Sequence, residues 1–413
     1  MAKGNIYIGL DIGTSTIRTV VGSYKKGDER VKIIGRGESP SSGMRRGVVI
    51  DIDEVTECIK KSVEQAELSS GVSIDHAFLS VGGNHINIME NKGLVAVSRA
   101  DQEVSVEDIN RVIDSASAIS LPSNREIIHI IPKSFKLDNE DDIQDPLGMT
   151  GARLEVEALI IDGLAPFNKN LTKCANNLGI EIDGLVLNVL AAAQAVLSKK
   201  QKELGVMVLD LGGGTASMAV YEEGKLLHAH VLPVGSAHVT NDIAIGLRTT
   251  IELAEKIKLK YGCALASEIK KKEMINLAEL DEREEGEVSR LEVARIIEAR
   301  IQEIFELVNK ELKKINRQRL LPAGAVLVGG GALMPKIVDL AKKELGLPVQ
   351  IGRPAEIDGI VEEVAKPTFA TAVGLVMWGA TMPDRSQGQS FLSNISTPST
   401  INKIKKWFRA FLP

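Results

Sequence analysis

Ile6, Ile8 and Leu10 alternate with other residues, Asp11 and Gly13 interrupt the pattern, and a β-rich run returns over residues 17–21. This is the period-two signature of two strands joined by a tight turn. The same grammar recurs at residues 205–221, where an apolar run ends in Asp210, glycines fill 212–214, Thr215 follows and a second β-rich run leaves. Between and after these hairpins, strand patterns fall at 31–38, 77–81, 93–98, 127–131, 154–161 and 228–233. Helical periodicity starts near Asp51, with Ile52, Val55, Ile59, Val63 and Ala66 on one face. It recurs at 105–118 behind a capping-box-like Ser-Val-Glu-Asp, and at 168–178, 240–246 and 252–261. A long amphipathic helix is predicted over 291–316, with Leu291, Ala294, Ile297, Ile301, Ile304, Phe305, Val308 and Leu312 apolar. Pro132 is expected to end its strand or mark an edge, and the acidic stretch 138–151 reads as a loop.

Two segments rich in small residues, 188–197 and 368–379, suit helices that pack closely or connect lobes. Residues 324–335 run from an apolar strand into Gly329-Gly330-Gly331, with Pro335 opening the next helix; this is the general form of a nucleotide site. The charge runs 270–272 and 281–285 read as solvated faces or loops.

Each Asp-x-Gly turn, taken alone, is equally an ordinary hairpin tip. It also carries the chemistry to hold a phosphate: glycine permits close backbone approach, successive N–H groups and hydroxyls wrap an anion, and a strand-end aspartate can hold a hydrated divalent cation. Two copies far apart in the chain suggest a duplicated domain pair clamping a polyphosphate from both sides.

Composition narrows the class. A chain of 413 residues can form two lobes or several subdomains, and its net charge of −5 gives no footprint for bulk nucleic-acid binding. Cys58, Cys174 and Cys263 lack metal spacing and read as reduced thiols of a cytosolic protein. Neither a signal-like N-terminus nor an apolar run long enough to span a bilayer is present. Aromatics are 3% of the chain, yet three fall in the last seven residues, behind a Ser/Pro/Gln/Gly-rich tether at 381–400. On a helical wheel Ile401, Ile404, Trp407, Phe408, Phe411 and Leu412 share an arc of about 140°, with Lys403, Lys406 and Arg409 opposite and Lys405 at the edge. That distribution suits an anionic bilayer surface, with Ile401, Ile404, Lys405, Trp407, Phe408, Arg409, Phe411 and Leu412 as the contact residues.

Together these features resemble the superfamily of actin, sugar kinases and heat-shock-chaperone ATPases. Within it, the chain is similar to the FtsA family of bacterial cell-division actin homologues over residues 6–379 and again at the tail. The most specific stretches are Gly9-Leu-Asp-Ile-Gly-Thr-Ser15, Asp145-Pro-Leu-Gly-Met-Thr-Gly-Ala-Arg-Leu-Glu155, Val239-Thr-Asn-Asp-Ile-Ala244 and Ala254-Glu-Lys-Ile-Lys258. The resemblance implies an α/β, actin-like two-lobe ATPase fold of duplicated RNase H-like domains, with a small α+β insertion (subdomain 1C) and a C-terminal amphipathic helix. It divides the chain into subdomain 1A (1–81 and 164–200), 1C (82–163), 2A (201–242 and 318–380), 2B (243–317), a linker (381–399) and a membrane-targeting helix (400–413).

By the same resemblance, Gly13, Thr14, Ser15 and Thr16 form the first phosphate loop, and Gly212, Gly213, Gly214 and Thr215 the second. Asp11 and Asp210 sit near Mg2+ through waters, Glu255 and Lys258 reach the ribose of ATP, and Gly330, Gly331 and Met334 line the adenine. The implied partners are the C-terminal tail of FtsZ at Arg300, Glu303 and Asn309, further copies of the chain in a filament, anionic lipids, and other division proteins through subdomain 1C. The implied location is the cytoplasmic face of the cell membrane at the division site. Two departures bear on chemistry. Asn188-Val189 stands where the family usually has Glu-Pro, and Ala216-Ser217 where Asp usually follows the threonine. Both remove a carboxylate near the γ-phosphate, and asparagine cannot act as a general base. At most a slow ATPase is expected. The alternatives are another actin-fold scaffold of pilus-assembly or rod-shape type, and a small-molecule kinase.

Overall fold

The computed structural model describes residues 4–25 and 27–382. The predicted linker and C-terminal helix therefore lie outside the described residues, except for Thr381 and Met382. The chain begins with β1 (Asn5–Ile12), β2 (Thr16–Tyr24), β3 (Val31–Pro40), the short pair β4 (Met44–Arg45) and β5 (Val48–Val49), α1 (Ile52–Ser70) and β6 (His76–Val81). Next come β7 (Asn87–Ala96), α2 (Val106–Ser117), β8 (Arg125–Leu137), β9 (Glu140–Ile143) and β10 (Arg153–Leu164). Then follow α3 (Ala165–Asn176), β11 (Glu181–Leu187), α4 (Asn188–Val196), α5 (Lys199–Leu204), β12 (Val206–Leu211), β13 (Ala216–Glu222) and β14 (Lys225–Leu232). Thereafter run α6 (Ser236–Leu247), α7 (Ile251–Tyr261), β15 (Met274–Asn276), β16 (Glu287–Ser289), α8 (Arg290–Lys314), β17 (Ala325–Val328), α9 (Ile337–Leu345), β18 (Val349–Ile351), β19 (Ile357–Gly359), α10 (Val361–Val364) and α11 (Ala370–Thr381).

Two sheets repeat one topology. The first is ordered β11-β6-β1-β2-β3-β19 and the second β14-β13-β12-β17-β18. In each, an antiparallel three-strand meander opens the unit (β1-β2-β3; β12-β13-β14), and two parallel strands then extend it on the other side (β6, β11; β17, β18). The duplication expected from the two hairpins is thus present at the level of strand order. A third sheet, β7-β10-β8-β9 with α2 packed on it, is inserted between β6 and α3.

The two repeats exchange a helix. α11 follows the second repeat yet lies on the first sheet. A Cβ at Gly9 would come within 2.2 Å of the Ala372 carbonyl oxygen, and one at Gly22 within 2.4 Å of Val376. α4 follows the first sheet yet its Ala191, Ala192 and Ala193 share a core with Val206, Val208 and Val326 of the second. The helices cross where Gly374 meets Ala191, and a Cβ on Gly374 would sit 1.8 Å from the Ala191 carbonyl oxygen. Small residues recur in both segments because the backbones nearly touch.

Local signals predict most boundaries. Asp51 caps α1 by accepting from the Glu54 amide, and Ser105 with Asp108 closes a capping box on α2. α8 buries Val293, Ala294, Ile297, Ile301, Ile304, Phe305, Val308 and Leu312. Each large side chain there removes enough apolar surface to stabilise by about 1.5–3 kcal/mol before entropy is counted.

Three readings are corrected. Pro132 does not end its strand: β8 runs through it, and it sits beside a bulge in β8 itself, where Lys133 is the extra residue opposite Glu157 and Ala158 of β10. The 138–151 loop contains β9, which turns back on β8. The charge runs 270–272 and 281–285 lie in turns and loops, as expected, and flank a small hairpin, β15-β16, whose pairing buries Ile275. Pro335 does not open α9; Lys336, at φ 64°, turns the chain first. Among the described residues no helix is long and apolar enough to cross a membrane.

Candidate functional site

The two hairpin tips face each other. A Cβ on Gly213 would meet Ser15 Oγ at 2.1 Å, and one on Gly214 would meet Thr14 Oγ1 at 2.8 Å. Glycine is required because the opposing loop occupies the space of any side chain. Each tip is built alike: the Gly13 amide donates to the Thr16 carbonyl, and the Gly212 amide to the Thr215 carbonyl. The first amide of each turn is thereby committed to the turn itself. Thr14 Oγ1 accepts from the Gly47 amide at 3.0 Å, which ties the first tip to the β4–β5 segment.

The two strand-end aspartates lie at the base of this cleft. Ser80 Oγ donates to Asp11 Oδ1 at 2.7 Å and accepts from the Ile12 amide. Asn188 Nδ2 donates to Asp210 Oδ2 at 3.0 Å and to Ser217 Oγ at 3.2 Å, while Asn188 Oδ1 is buried without a partner. Burial pushes the Asp210 carboxyl up to about 7, Asp11 adds like-charge repulsion, and Arg18 and Asn188 oppose the rise. Burial likewise raises Asp11 against the Ser80 hydrogen bond and Arg18. Two carboxylates that disfavour each other's charge beside an orphaned amide oxygen are a donor set short of one cation. The residues therefore fit a hydrated divalent ion.

Beyond the second tip, α6 begins. Its Ser236 and Ala237 amides donate to the Gly212 and Gly213 carbonyls, both at 2.8 Å. A small cavity beside it is lined by Leu211, Ser236, Val239, Lys258, Ile301, Ile304, Gly331, Met334 and Ile337. Lys258, itself buried, bridges Glu255 Oε2 at 2.7 Å and Thr240 Oγ1 at 2.9 Å, and Thr240 also bonds Glu255. Gly330 faces open space, and Gly331 lies against Ser236 and Leu211. Lys258, Gly331 and Met334, distant in sequence, thus line one pocket, and Glu255 joins it through its ion pair with Lys258. Sequence reading missed Ser80, the role of Thr240 and the Gly235-Ser236 helix start. Thr240 lies within the stretch Val239-Thr-Asn-Asp-Ile-Ala244 and the helix start is marked by Gly-Ser before an apolar helix, whereas Ser80 carries no signal.

Arg300, Glu303 and Asn309 do not share a surface. Arg300 forms a fork with Asp242 of α6 (3.0 Å from Nη2 to Oδ1) and also pairs with Glu303. Asn309 points away from them and donates to the Glu344 carbonyl of α9 at 2.9 Å. Ile401, Ile404, Lys405, Trp407, Phe408, Arg409, Phe411 and Leu412 lie outside the described residues.

Comparison with known proteins places this geometry in a family. Residues 207–374 match the family model for cell division protein FtsA, and residues 83–162 match the SHS2 domain inserted in FtsA. The chain is 36% identical over 410 residues to the cell division protein FtsA of Pseudomonas aeruginosa, covering 98% of each chain. It is 40% identical over 378 residues to the Bacillus subtilis protein of that name, covering 92% of this chain and 84% of that one. Identity to the Escherichia coli K12 protein is 33% over 414 residues, covering 98% and 97%. Two solved structures share the fold at low identity. A chain of the PilM–PilN type IV pilus biogenesis complex has a TM-score of 0.66 at 16% identity, covering 91% of this chain and 98% of that one. Spiroplasma citri MreB5 bound to ADP has a TM-score of 0.52 at 14% identity, covering 91% and 96%. With near-full-length identity of 33–40% to three such proteins and an actin-like fold carrying the SHS2 insertion, the chain belongs to the FtsA family of cell division proteins.

Proposed function

We propose that the chain binds ATP with Mg2+ between its two hairpin tips, polymerises, and tethers FtsZ filaments to the cytoplasmic face of the cell membrane at the division site. The observation that carries the nucleotide part is the facing pair of Asp-x-Gly tips over the buried Asp210 and the partly buried Asp11, whose charge disfavours that of Asp210. Bound Mg2+–ATP would supply the positive charge the aspartates lack and the phosphates the tips would hold. Asp11 and Asp210 would hold the ion through waters, each kept in place by Ser80 or Asn188. Gly13, Thr14, Ser15 and Thr16 would hold phosphate from one side, and Gly212, Gly213, Gly214 and Thr215 from the other. Glu255 and Lys258 would orient the ribose, with Gly330, Gly331 and Met334 against the base.

Slow turnover is part of this reading. Asn188 and Ser217 hydrogen-bond each other over Asp210, and neither can take a proton from water at neutral pH. The nucleotide then acts mainly by fixing the two lobes relative to each other. The division into 1A (1–81, 164–200), 1C (82–163), 2A (201–242, 318–380) and 2B (243–317) follows the same reading, with subdomain 1C as the surface for other division proteins. For the FtsZ tail we retain the face around Arg300 and Glu303; Asn309 would act from the other side of α8, supporting α9. The tail residues from Ile401 to Leu412 would anchor the filament, many short helices acting side by side.

The test is co-sedimentation with anionic vesicles. With ATP, the full chain should pellet and recruit FtsZ, and deletion of residues 400–413 should abolish pelleting while leaving nucleotide binding intact. Unchanged sedimentation of the truncated chain removes the anchor from this reading; absence of ATP binding removes the cleft.

A further inference from the structure

A second cluster of ligating groups lies on the edge strand of the second sheet. His228 and His230 are two apart on β14, so their side chains leave from one face, and their rings stack at 6.3 Å with 7° between planes. Glu311, buried near the end of α8, reaches them. Its Oε2 is 3.5 Å from His228 Nε2 and its Oε1 3.8 Å from His230 Nε2. All three ligand atoms fall within 4.8 Å of one another. Nothing in the nucleotide reading uses these residues.

The cluster is incomplete as it stands. His228 Nε2 is sealed from solvent and makes no aligned hydrogen bond, an arrangement that costs about 1–3 kcal/mol. Burial lowers both imidazoles against the pull of Glu311. Lys314 Nζ donates to Glu311 Oε1 at 2.7 Å from a side chain that is 65% exposed, so rotation of its stem frees the carboxylate.

We propose that His228, His230 and Glu311 form a divalent transition-metal site, for which zinc is the fitting ion. Two imidazole nitrogens and one carboxylate oxygen match zinc, whereas Mg2+ and Ca2+ take oxygen ligands. A tetrahedral ion with bonds of about 2.0–2.1 Å sets its ligands about 3.4 Å apart. The His228–Glu311 separation of 3.5 Å is already close to that value, and with one atom from each residue the three ligand atoms lie within 4.8 Å of one another, so small side-chain rotations close the site. His230 is 38% exposed on its side chain, which leaves the fourth position to water. The ion would staple β14 to α8. Lys225, at the start of β14, binds Asp142 of β9 at 2.6 Å, so the stapled strand is also the one on which the inserted sheet rests.

The full chain, stripped with a chelator, is titrated with ZnCl2 by calorimetry and with CoCl2 by absorption. One ion per chain is expected, with the visible bands of tetrahedral cobalt and without the near-ultraviolet thiolate band that a cysteine ligand adds. Zinc should raise the melting temperature of the native chain but not of His230→Gln. His230→Gln and Glu311→Gln should each weaken binding at least about tenfold. Lys314→Met should strengthen it, a gain that misfolding cannot produce. Asp210→Asn should leave zinc affinity unchanged. Equal affinity in His230→Gln, an octahedral cobalt spectrum, or loss of the site in Asp210→Asn overturns the proposal.

Discussion

Replacing Asp210 with asparagine should stabilise the nucleotide-free protein while weakening its hold on Mg2+–ATP. The Asp210 carboxyl rises from 3.8 to about 7, roughly three units. Each unit is worth about 1.4 kcal/mol, so ionised Asp210 destabilises the empty fold by on the order of 4 kcal/mol. The sign follows from linkage. The folded state holds this proton more tightly than the unfolded chain, so the cost is absent below about pH 4 and complete above about pH 7. Asparagine removes the charge and can still accept from Asn188 Nδ2, now as a neutral hydrogen bond weaker by about 1 kcal/mol. The net gain at about pH 8 is on the order of 3 kcal/mol. With an unfolding entropy of about 2.1 cal/mol/K per residue, the melting temperature should rise by about 4 °C. Calorimetric melts in chelator test this, and the gain should fall below half by about pH 5. Titration with Mg2+ and a fluorescent ATP analogue should show the opposite, a loss of affinity. A variant less stable than the native chain at about pH 8, or a gain that does not shrink on acidification, refutes the reasoning.

The other predictions are more direct. Gly374→Leu puts a side chain into the Ala191 carbonyl at the helix crossing; it should cost at least about 1–3 kcal/mol in a urea melt, and an unchanged midpoint would sink the close-packing argument. Lys258→Met keeps the buried stem but leaves Glu255 and Thr240 without their ammonium, and ATP affinity should drop about tenfold or more in a binding titration. Steady-state ATP turnover should stay well below the roughly 10 per second of a typical enzyme, because Asn188 and Ser217 offer no base; a kinase-like rate removes the slow-hydrolysis reading.

Much of this was legible in the chain. The Asp-x-Gly turns announce themselves because glycine and a strand-end aspartate are local requirements, and α8 does so because eight apolar positions repeat at helical spacing. Pro132 misled because its tolerance depends on a bulge at Lys133 of its own strand, which forms only as β8 pairs with β10 and which sequence spacing does not reveal. The β15–β16 hairpin was hidden by lysines and glutamates whose solvation says nothing about the buried Ile275 between them.

The sequence by itself determined the strand–turn–strand units, their duplication, the small-residue helices and the family. These rest on short-range backbone preferences and on spacing. The tertiary structure alone decided which groups meet. It set Ser15 against Gly213, laid Asn188 over Asp210 and gathered Lys258 with Met334. Such contacts depend on how whole sheets pack, and hundreds of weak apolar contacts fix that packing together.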